Sequence, residues 1–208
     1  MRKLACILCL VLTGLGLRAE NPGRETSCGD FPRLVFGIEW GAAETFWTAC
    51  ETCYNSDDGR VYESGSGYNF ATNGEFIVGV GCNLTRRLNL ALNCGMSGVA
   101  GSDIVIPLTL RTSFFPCGCD ADGVFFFGEA GAGFNLDRNP RPDFIGIVGG
   151  GHRWALSRRV SIDLSLKARV VLDHPYVKAS DGSYLPSSQV LVSDAWHLAA
   201  GLFLGLRF

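Results

Sequence analysis

Trp196-His197-Leu198-Ala199-Ala200-Gly201-Leu202-Phe203-Leu204-Gly205-Leu206-Arg207-Phe208 is the stretch that decides the fold. Positions 196, 198, 200, 202, 204, 206 and 208 are all apolar, and the alternate set carries His197, Ala199, Gly201, Gly205 and Arg207, broken only by Phe203. A period of two reads as strand, not helix. One greasy face and one small or polar face suit a strand set between lipid and a crowded barrel interior.

Working backwards, the same alternation marks seven more segments, which gives an all-β chain of eight strands. They run from about Leu34 to Trp47, Gly74 to Leu84, Leu88 to Met96, Ile104 to Phe115, Val124 to Leu136, Phe144 to Leu156, Val160 to Leu172 and Asp194 to Phe208. Most match the roughly 9 to 11 residues of a tilted membrane strand. The segment from Val160 is the cleanest: Val160, Ile162, Leu164, Leu166, Ala168 and Val170 alternate with Ser161, Asp163, Ser165, Lys167 and Arg169. A slip of one residue would move every one of those charges into lipid.

The connections alternate as well. After the second and sixth strands they shrink to Thr85-Arg86-Arg87 and Ser157-Arg158-Arg159, while after the first, third, fifth and seventh they are mostly longer and polar. Pro116 to Gly123 is a longer turn on the short side. Tight turns at one end and long loops at the other predict an antiparallel up-and-down transmembrane β-barrel with both termini at the short-turn end. Aromatics cluster near the expected strand ends, with Phe46, Trp47, Phe144 and Trp196 toward the long loops and Phe36, Phe114, Phe126, Trp154 and Phe208 toward the turns.

Composition agrees with this. Charged residues make up 18% of the chain, below the roughly 25% of soluble domains, and there are 27 glycines. Arg2 and Lys3 precede an apolar run from Leu4 to Leu17, the layout of a secretory signal. Residues 1–19 are therefore expected to be a cleaved signal peptide, 20–33 a short periplasmic segment and 34–208 the barrel. No later apolar run is long enough for a transmembrane helix, so a membrane form must span as a closed barrel. The net charge of -2 and the lack of a basic stripe give no nucleic-acid footprint.

With the apolar set outward, Glu39, Glu75, Arg111, Glu129, Asp163, Lys167 and Arg169 point inward, joined by Arg153 and Arg207. An eight-stranded barrel is just wide enough for its side chains to fill. These groups are expected to pair across the lumen as a structural network, because an unpaired buried charge is costly. The competing fold, a soluble barrel of the lipocalin kind, would turn the apolar sets inward. Its outer surface would then be largely glycine and alanine, a poor face for water.

At this point the chain resembles the small outer-membrane barrels of the OmpA and OmpX type and the broad porin-like outer-membrane β-barrel domain family, over about residues 33–208. The carboxy-terminal assembly signal of that family combines a glycine, spaced hydrophobics and a final aromatic, and Gly201, Leu204, Leu206 and Phe208 match it in kind. Ala199 stands where a polar residue is expected. The resemblance implies the bacterial outer membrane, with outer-membrane lipids, the barrel-assembly machinery and an extracellular ligand of the long loops as partners. Fold does not settle function. The expected role is non-enzymatic, structural or one of surface contact through the first and last loops, where Tyr54, Tyr62, Tyr68, Tyr176 and Tyr184 are available; the alternative is a narrow passive channel, and a lipid-modifying or proteolytic barrel enzyme ranks below that.

Other chemistry is thin. Of nine cysteines, Cys6 and Cys9 fall in the signal, leaving Cys28, Cys50, Cys53, Cys82, Cys94, Cys117 and Cys119. Export permits disulfides, and a loop bridge between Cys50 and Cys53 is the favoured reading. Cys82 and Cys94 flank a tight turn, yet pairing puts Cys82 opposite a residue near Leu90, about 13 Å from Cys94 at 3.4 Å per residue. A zinc site built from Cys50, Cys53, Cys117 and Cys119 would need residues at opposite ends of the barrel. Among the histidines, His152, His174 and His197, none has a serine two residues on, and only Asp173-His174, near Asp181 and Asp194, resembles a general-base pair. No cofactor and no metal are expected.

Overall fold

The alternation runs through eight strands: β1 (Leu34–Ser56), β2 (Gly59–Asn83), β3 (Leu88–Val99), β4 (Asp103–Phe114), β5 (Gly123–Asn135), β6 (Asp143–Ala155), β7 (Ser161–Asp173) and β8 (Val190–Arg207). These come from a computed structural model that describes residues 31–56, 59–101, 103–135, 141–157, 159–178, 184–186 and 188–208. The expected signal peptide, most of the 20–33 segment and Cys28 lie outside the described residues.

Each strand pairs antiparallel with its neighbours, and β8 returns to β1, which closes the barrel. Closure leaves no edge within the ring, as a lipid environment demands of backbone amides. The seam is sealed at its base by reciprocal bonds, from the Phe36 N–H to the Phe208 carbonyl at 2.7 Å and from the Phe208 N–H to the Phe36 carbonyl at 2.9 Å.

The barrel is inside out relative to a soluble protein. On β7, Ser161, Asp163, Ser165, Lys167 and Arg169 are buried and Leu164, Leu166 and Ala168 are exposed. Leu166 is 63% exposed, whereas Lys167 beside it is 3% exposed. Leu92, Leu110, Phe126, Val148 and Leu202 continue the apolar exterior around the ring. That orientation excludes the lipocalin arrangement: the fold is an eight-stranded antiparallel up-and-down transmembrane β-barrel. Trp196, Phe144, Phe36, Phe114, Phe126 and Trp154 are exposed near the strand ends, and Phe134, absent from the expected girdles, joins them.

Three features depart from the expected layout. The lumen has an apolar side, with Val105, Phe125, Phe127, Ile145, Ile147 and Val171 buried in one cluster. On β5 and β6 most positions of both faces are apolar or glycine, so alternation marks the inner face there only through charges such as Glu129 and Arg153. Nor do β1 and β2 stop at the membrane. They run to 23 and 25 residues, and β8 to 18, against 12 to 13 for the other strands. Of what was expected to be a long first loop from Thr48 to Asn73, residues 48–56 and 59–73 are strand, paired as far as Ser56↔Gly59. The connection after β3, expected to be long, is tight, with Ala100 and Gly101 in left-handed conformation at φ 50° and 90°.

The overshoot begins at a bulge. Register shifts between Thr45 and Trp47 against both β2 and β8. Bulges bend strands and gather at barrel rims. Beyond this one, β8, β1 and β2 continue as a three-stranded sheet past the long-loop rim. β2–β3 pairing ends at Glu75↔Ser97, so among the described residues β2 has no strand partner on that side from Gly59 to Gly74.

Candidate functional site

Two places concentrate polar chemistry: the middle of the lumen and the mouth at the long-loop end. In the lumen, the Arg111 guanidinium donates from Nη1 and Nη2 to the two Glu39 oxygens at 2.9 and 3.1 Å and from Nε to Glu129 Oε2 at 2.6 Å. Glu129 also accepts from Thr109 and, at 3.2 Å, from Asn93. Lys167 pairs with Glu39 and, at 2.7 Å, with Glu75 Oε1. Arg169 donates to Glu75 Oε2 at 3.1 Å, to the Gly98 carbonyl at 2.8 Å and to Ser97.

These bonds link strands that are not neighbours in the ring: β1 to β4, β1 to β7 and β2 to β7. The network therefore crosses the lumen. Toward the short-turn end, Arg153 grips Asp163 bidentately, both distances 2.7 Å, and Arg207 lies 3.5 Å from Asp163 and 3.8 Å from Glu39, bridging the two groups. Gly37 makes room for that bridge, since a Cβ there would sit 2.8 Å from Arg207 Cδ.

Aromatic rings line the cations, Phe115 and Phe127 from the apolar side and Phe203 from a second small cluster with Ala43 and Ala199. Arg111 stacks 4.5 Å over Phe127, Arg153 4.3 Å over Phe115 and Lys167 3.9 Å over Phe203. Cation–π contacts strengthen as water is excluded. All seven charged residues singled out by alternation, Glu39, Glu75, Arg111, Glu129, Asp163, Lys167 and Arg169, thus occupy one connected set, and the paired, ring-packed centre is filled by side chains. The rings Phe115, Phe125, Phe127 and Phe203 share parity with Arg111, Glu129 and Arg207, yet an apolar residue on the inner face shows nothing by itself of the cation it packs against.

At the mouth, His197 Nδ1 lies 3.1 Å from Thr48 Oγ1 and its Nε2 3.9 Å from Asp173 Oδ2. His174 Nδ1 lies 2.9 Å from Asp194 Oδ1 and 3.2 Å from the Ser193 carbonyl. His174 therefore contacts Asp194, while Asp173 accepts its backbone N–H at 2.7 Å, so these groups fasten the last loop to β8. Asp181 lies outside the described residues. Among the described residues no group of three or more His, Cys, Asp or Glu is placed to hold a metal ion.

The cysteine expectation needs correction. Cys50 and Cys53 are free and lie on extended β1, not in a loop. Three residues of strand separate their alpha carbons by about 10 Å, beyond the roughly 7 Å a disulfide tolerates. Burial, with Asp173 nearby, pushes the Cys50 thiol up. Cys82 opposes Leu90 and Cys94 opposes Val78, and both are free and exposed on the outer face. Cys117 and Cys119 are also free; Cys119 is buried under the short-turn end, where its carbonyl accepts from Arg153 at 2.9 Å.

The residues matched to an assembly signal sit on β8 and its end. Leu204 is exposed on the outer wall, Gly201 packs inward against Ala43, and Phe208 stacks with Phe36 at 6.4 Å between ring centroids.

No family model and no curated protein matches the chain. Its structure is similar to that of the outer membrane protein OprG from Pseudomonas aeruginosa, at TM-score 0.49 and 8% identity over 86% of this chain and 97% of that one. It is also similar to Neisserial surface protein A, at 0.40 and 13% identity over 83% and 95%, and to Ail, the attachment invasion locus protein of Yersinia pestis, at 0.35 and 15% over 85% and 100%. These likenesses concern architecture alone. By its own strand order, apolar belt and charged lumen, the chain is a membrane barrel with the eight-stranded fold of the small outer-membrane barrels.

Proposed function

We propose that this barrel resides in the bacterial outer membrane and acts there without enzymatic chemistry, as a wall element that presents a contact surface to the outside. The observation that carries this reading is the projecting sheet of β8, β1 and β2. On its outer face Tyr62, Tyr68 and Phe70 stand in the open, with Tyr68 81% exposed. Large aromatics left this bare beyond a membrane mark a surface that meets something. An unpaired strand edge beside them offers backbone donors and acceptors to an incoming segment. Tyr176 and Tyr184, edge to face at 5.7 Å, extend the aromatic surface from the last loop.

The filled lumen argues for this reading over the narrow-channel alternative, since an ion would have to break cross-barrel pairs to pass. Gly201, Leu204, Leu206 and Phe208 are assigned to recognition by the assembly machinery, and the exposed belt to outer-membrane lipids.

The test is a variant in which Tyr62, Tyr68 and Phe70 are each changed to serine, displayed on cells beside the parent barrel. We expect equal surface levels and a gel shift on boiling for both, with attachment to protein-coated surfaces falling several-fold in the variant. Unchanged attachment would overturn the contact role. Ion conductance in planar bilayers that Arg111→Met raises, with steady single-channel steps in the parent, would replace it with the channel.

A further inference from the structure

The outer wall carries a recess of about 790 Å³ where β1, β2, β3 and β4 approach the long-loop rim. Its floor is Ala42, Gly74 and Gly98, and its walls are Trp40, Phe76, Met96 and Ile104. The floor is open at Gly74, where an added Cβ would meet no atom within 4 Å, and is backed by Asn73 at Gly98, where one would lie 3.1 Å from the Asn73 side chain. The recess forms because β2–β3 pairing ends at Glu75↔Ser97 and the two strands part above it. Asn73 closes the seam behind, its Nδ2 donating to the Ala71 carbonyl at 3.0 Å and to Thr45 at 3.1 Å, and its Oδ1 accepting from the Gly101 N–H at 2.8 Å.

The geometry points to a binding site for one acyl chain of a lipid in the leaflet next to the long loops, an inference that rests on the membrane placement above. Three features select that occupant. The wall side chains are exposed members of the apolar belt, so the recess opens into hydrocarbon, where water is a poor filler and an empty hollow forfeits dispersion contacts. The volume falls in the range of small-molecule sites, roughly 300 to 1,000 Å³. Polarity also runs in the order a lipid needs. Trp40, Phe76 and Met96 lie side by side at the level of mid-β1, whereas toward the rim Thr72 donates to Glu44 Oε2 at 2.5 Å. A chain seated along β2 would put its methyl end by Trp40 and its head near the Thr72–Glu44 pair.

Trp40 can report on this directly. The protein carrying Trp47→Phe, Trp154→Phe and Trp196→Phe is folded into vesicles of phosphatidylcholine brominated in its acyl chains, then diluted into excess detergent while fluorescence recovery is followed. A second protein keeps only Trp154, which faces lipid at the other end of the barrel. We expect Trp40 to recover at least ten times more slowly than Trp154 and to retain about one brominated lipid per barrel. Gly74→Leu should fill the recess and erase the difference; Ala42→Leu fills the same floor from β1 and serves if Gly74→Leu does not fold. Gly128→Leu, at an outward glycine on β5 that also has nothing within 4 Å of an added Cβ, should leave the difference intact. Equal recovery at Trp40 and Trp154, or a difference that survives both filling variants, overturns the site. Slow recovery without retained lipid, together with cross-linked barrel pairs that Gly74→Leu disperses, would assign the recess to a second copy and equally overturn it. Gel shift on boiling is recorded throughout: a protein that stays folded and soluble without detergent would sink the membrane placement itself, a different failure.

Discussion

β1, β2 and β8 run through two solvents, and the two halves of the same strands follow different rules. Between Leu34 and Thr45, β1 faces hydrocarbon outside and a packed ionic lumen inside, so each position is forced to one character. Past the bulge at Phe46 both sides of the sheet meet water, and the constraint lapses: Ser64-Gly65-Ser66-Gly67 on β2 carries no apolar face, yet it is paired strand opposite β1. Strand structure is therefore set by pairing in both halves, but alternation is written into the residues only where the two faces differ in solvent.

The comparison breaks hardest at Arg111. It is 2% exposed and holds two carboxylates, so Arg111→Met leaves Glu39 and Glu129 facing each other without their shared counter-charge. Removing one partner of a buried ionic set typically costs about 3 to 5 kcal/mol. We expect a loss of that size in urea unfolding in lipid vesicles, read by tryptophan fluorescence. If Arg111→Met unfolds like the parent, the lumen is wetter than its pairing implies and belongs with the projecting sheet.

Next in size is the contrast between two thiols of one turn. Cys119 is buried while Cys117 is exposed. Burial and the neighbouring Asp120 push the Cys119 thiol above its ordinary value. Since the thiolate is the reactive form, a raised value lowers its fraction at neutral pH. Maleimide labelling of single-cysteine proteins should be about tenfold or more slower at Cys119, with its rate still climbing at alkaline pH. Equal rates would show that the short-turn end opens as readily as the rim.

A smaller effect separates the two sides of the lumen. Ile147 packs in the apolar cluster with Phe125, Phe127 and Val171, and Ile147→Val should cost about 1 kcal/mol by the same unfolding measurement. Much less than that would mean the cluster collapses around the missing methylene.

The legible and illegible parts of the chain follow the same logic. β7 could be read almost residue by residue because polar and apolar residues alternate unbroken from Val160 to Val170, and the inward placement of Glu39, Arg111 and Glu129 came from extending that parity to strands where one charge marks a face. The apolar side of the lumen was passed over because the interior was sought in charges: parity counted from Glu129 puts Phe125 and Phe127 inside, but in a run of three phenylalanines that single charge is the marker that picks them out. The bulge at Phe46 defeated parity above it: Thr45 is buried and bonds Asn73, yet Thr48, three residues on, reaches the buried His197. The Cys50–Cys53 bridge failed for a related reason, since a segment taken as loop could fold back and a paired strand cannot. The recess beside Gly74 depends on where β2 and β3 stop pairing, a matter of register between segments that no single strand displays.

The smallest expected effect lies wholly in the projecting sheet. The Tyr62 hydroxyl donates to Glu51 Oε1 at 2.8 Å on an exposed face. That bond exists only while the phenol keeps its proton and, with the carboxylate charge beside it, holds Tyr62 above the usual tyrosine range. Glu51→Gln removes the charge, so the phenol should ionise at lower pH than in the parent, read by ultraviolet titration with the other tyrosines as internal reference. Unfolding in urea should not change measurably, because an exposed pair gains little over its separate hydration. A clear loss of stability would mean that the projecting sheet is held by its own side chains. Unchanged unfolding with a shifted titration places its rigidity where the strand pairing does, in backbone bonds inherited from the barrel beneath.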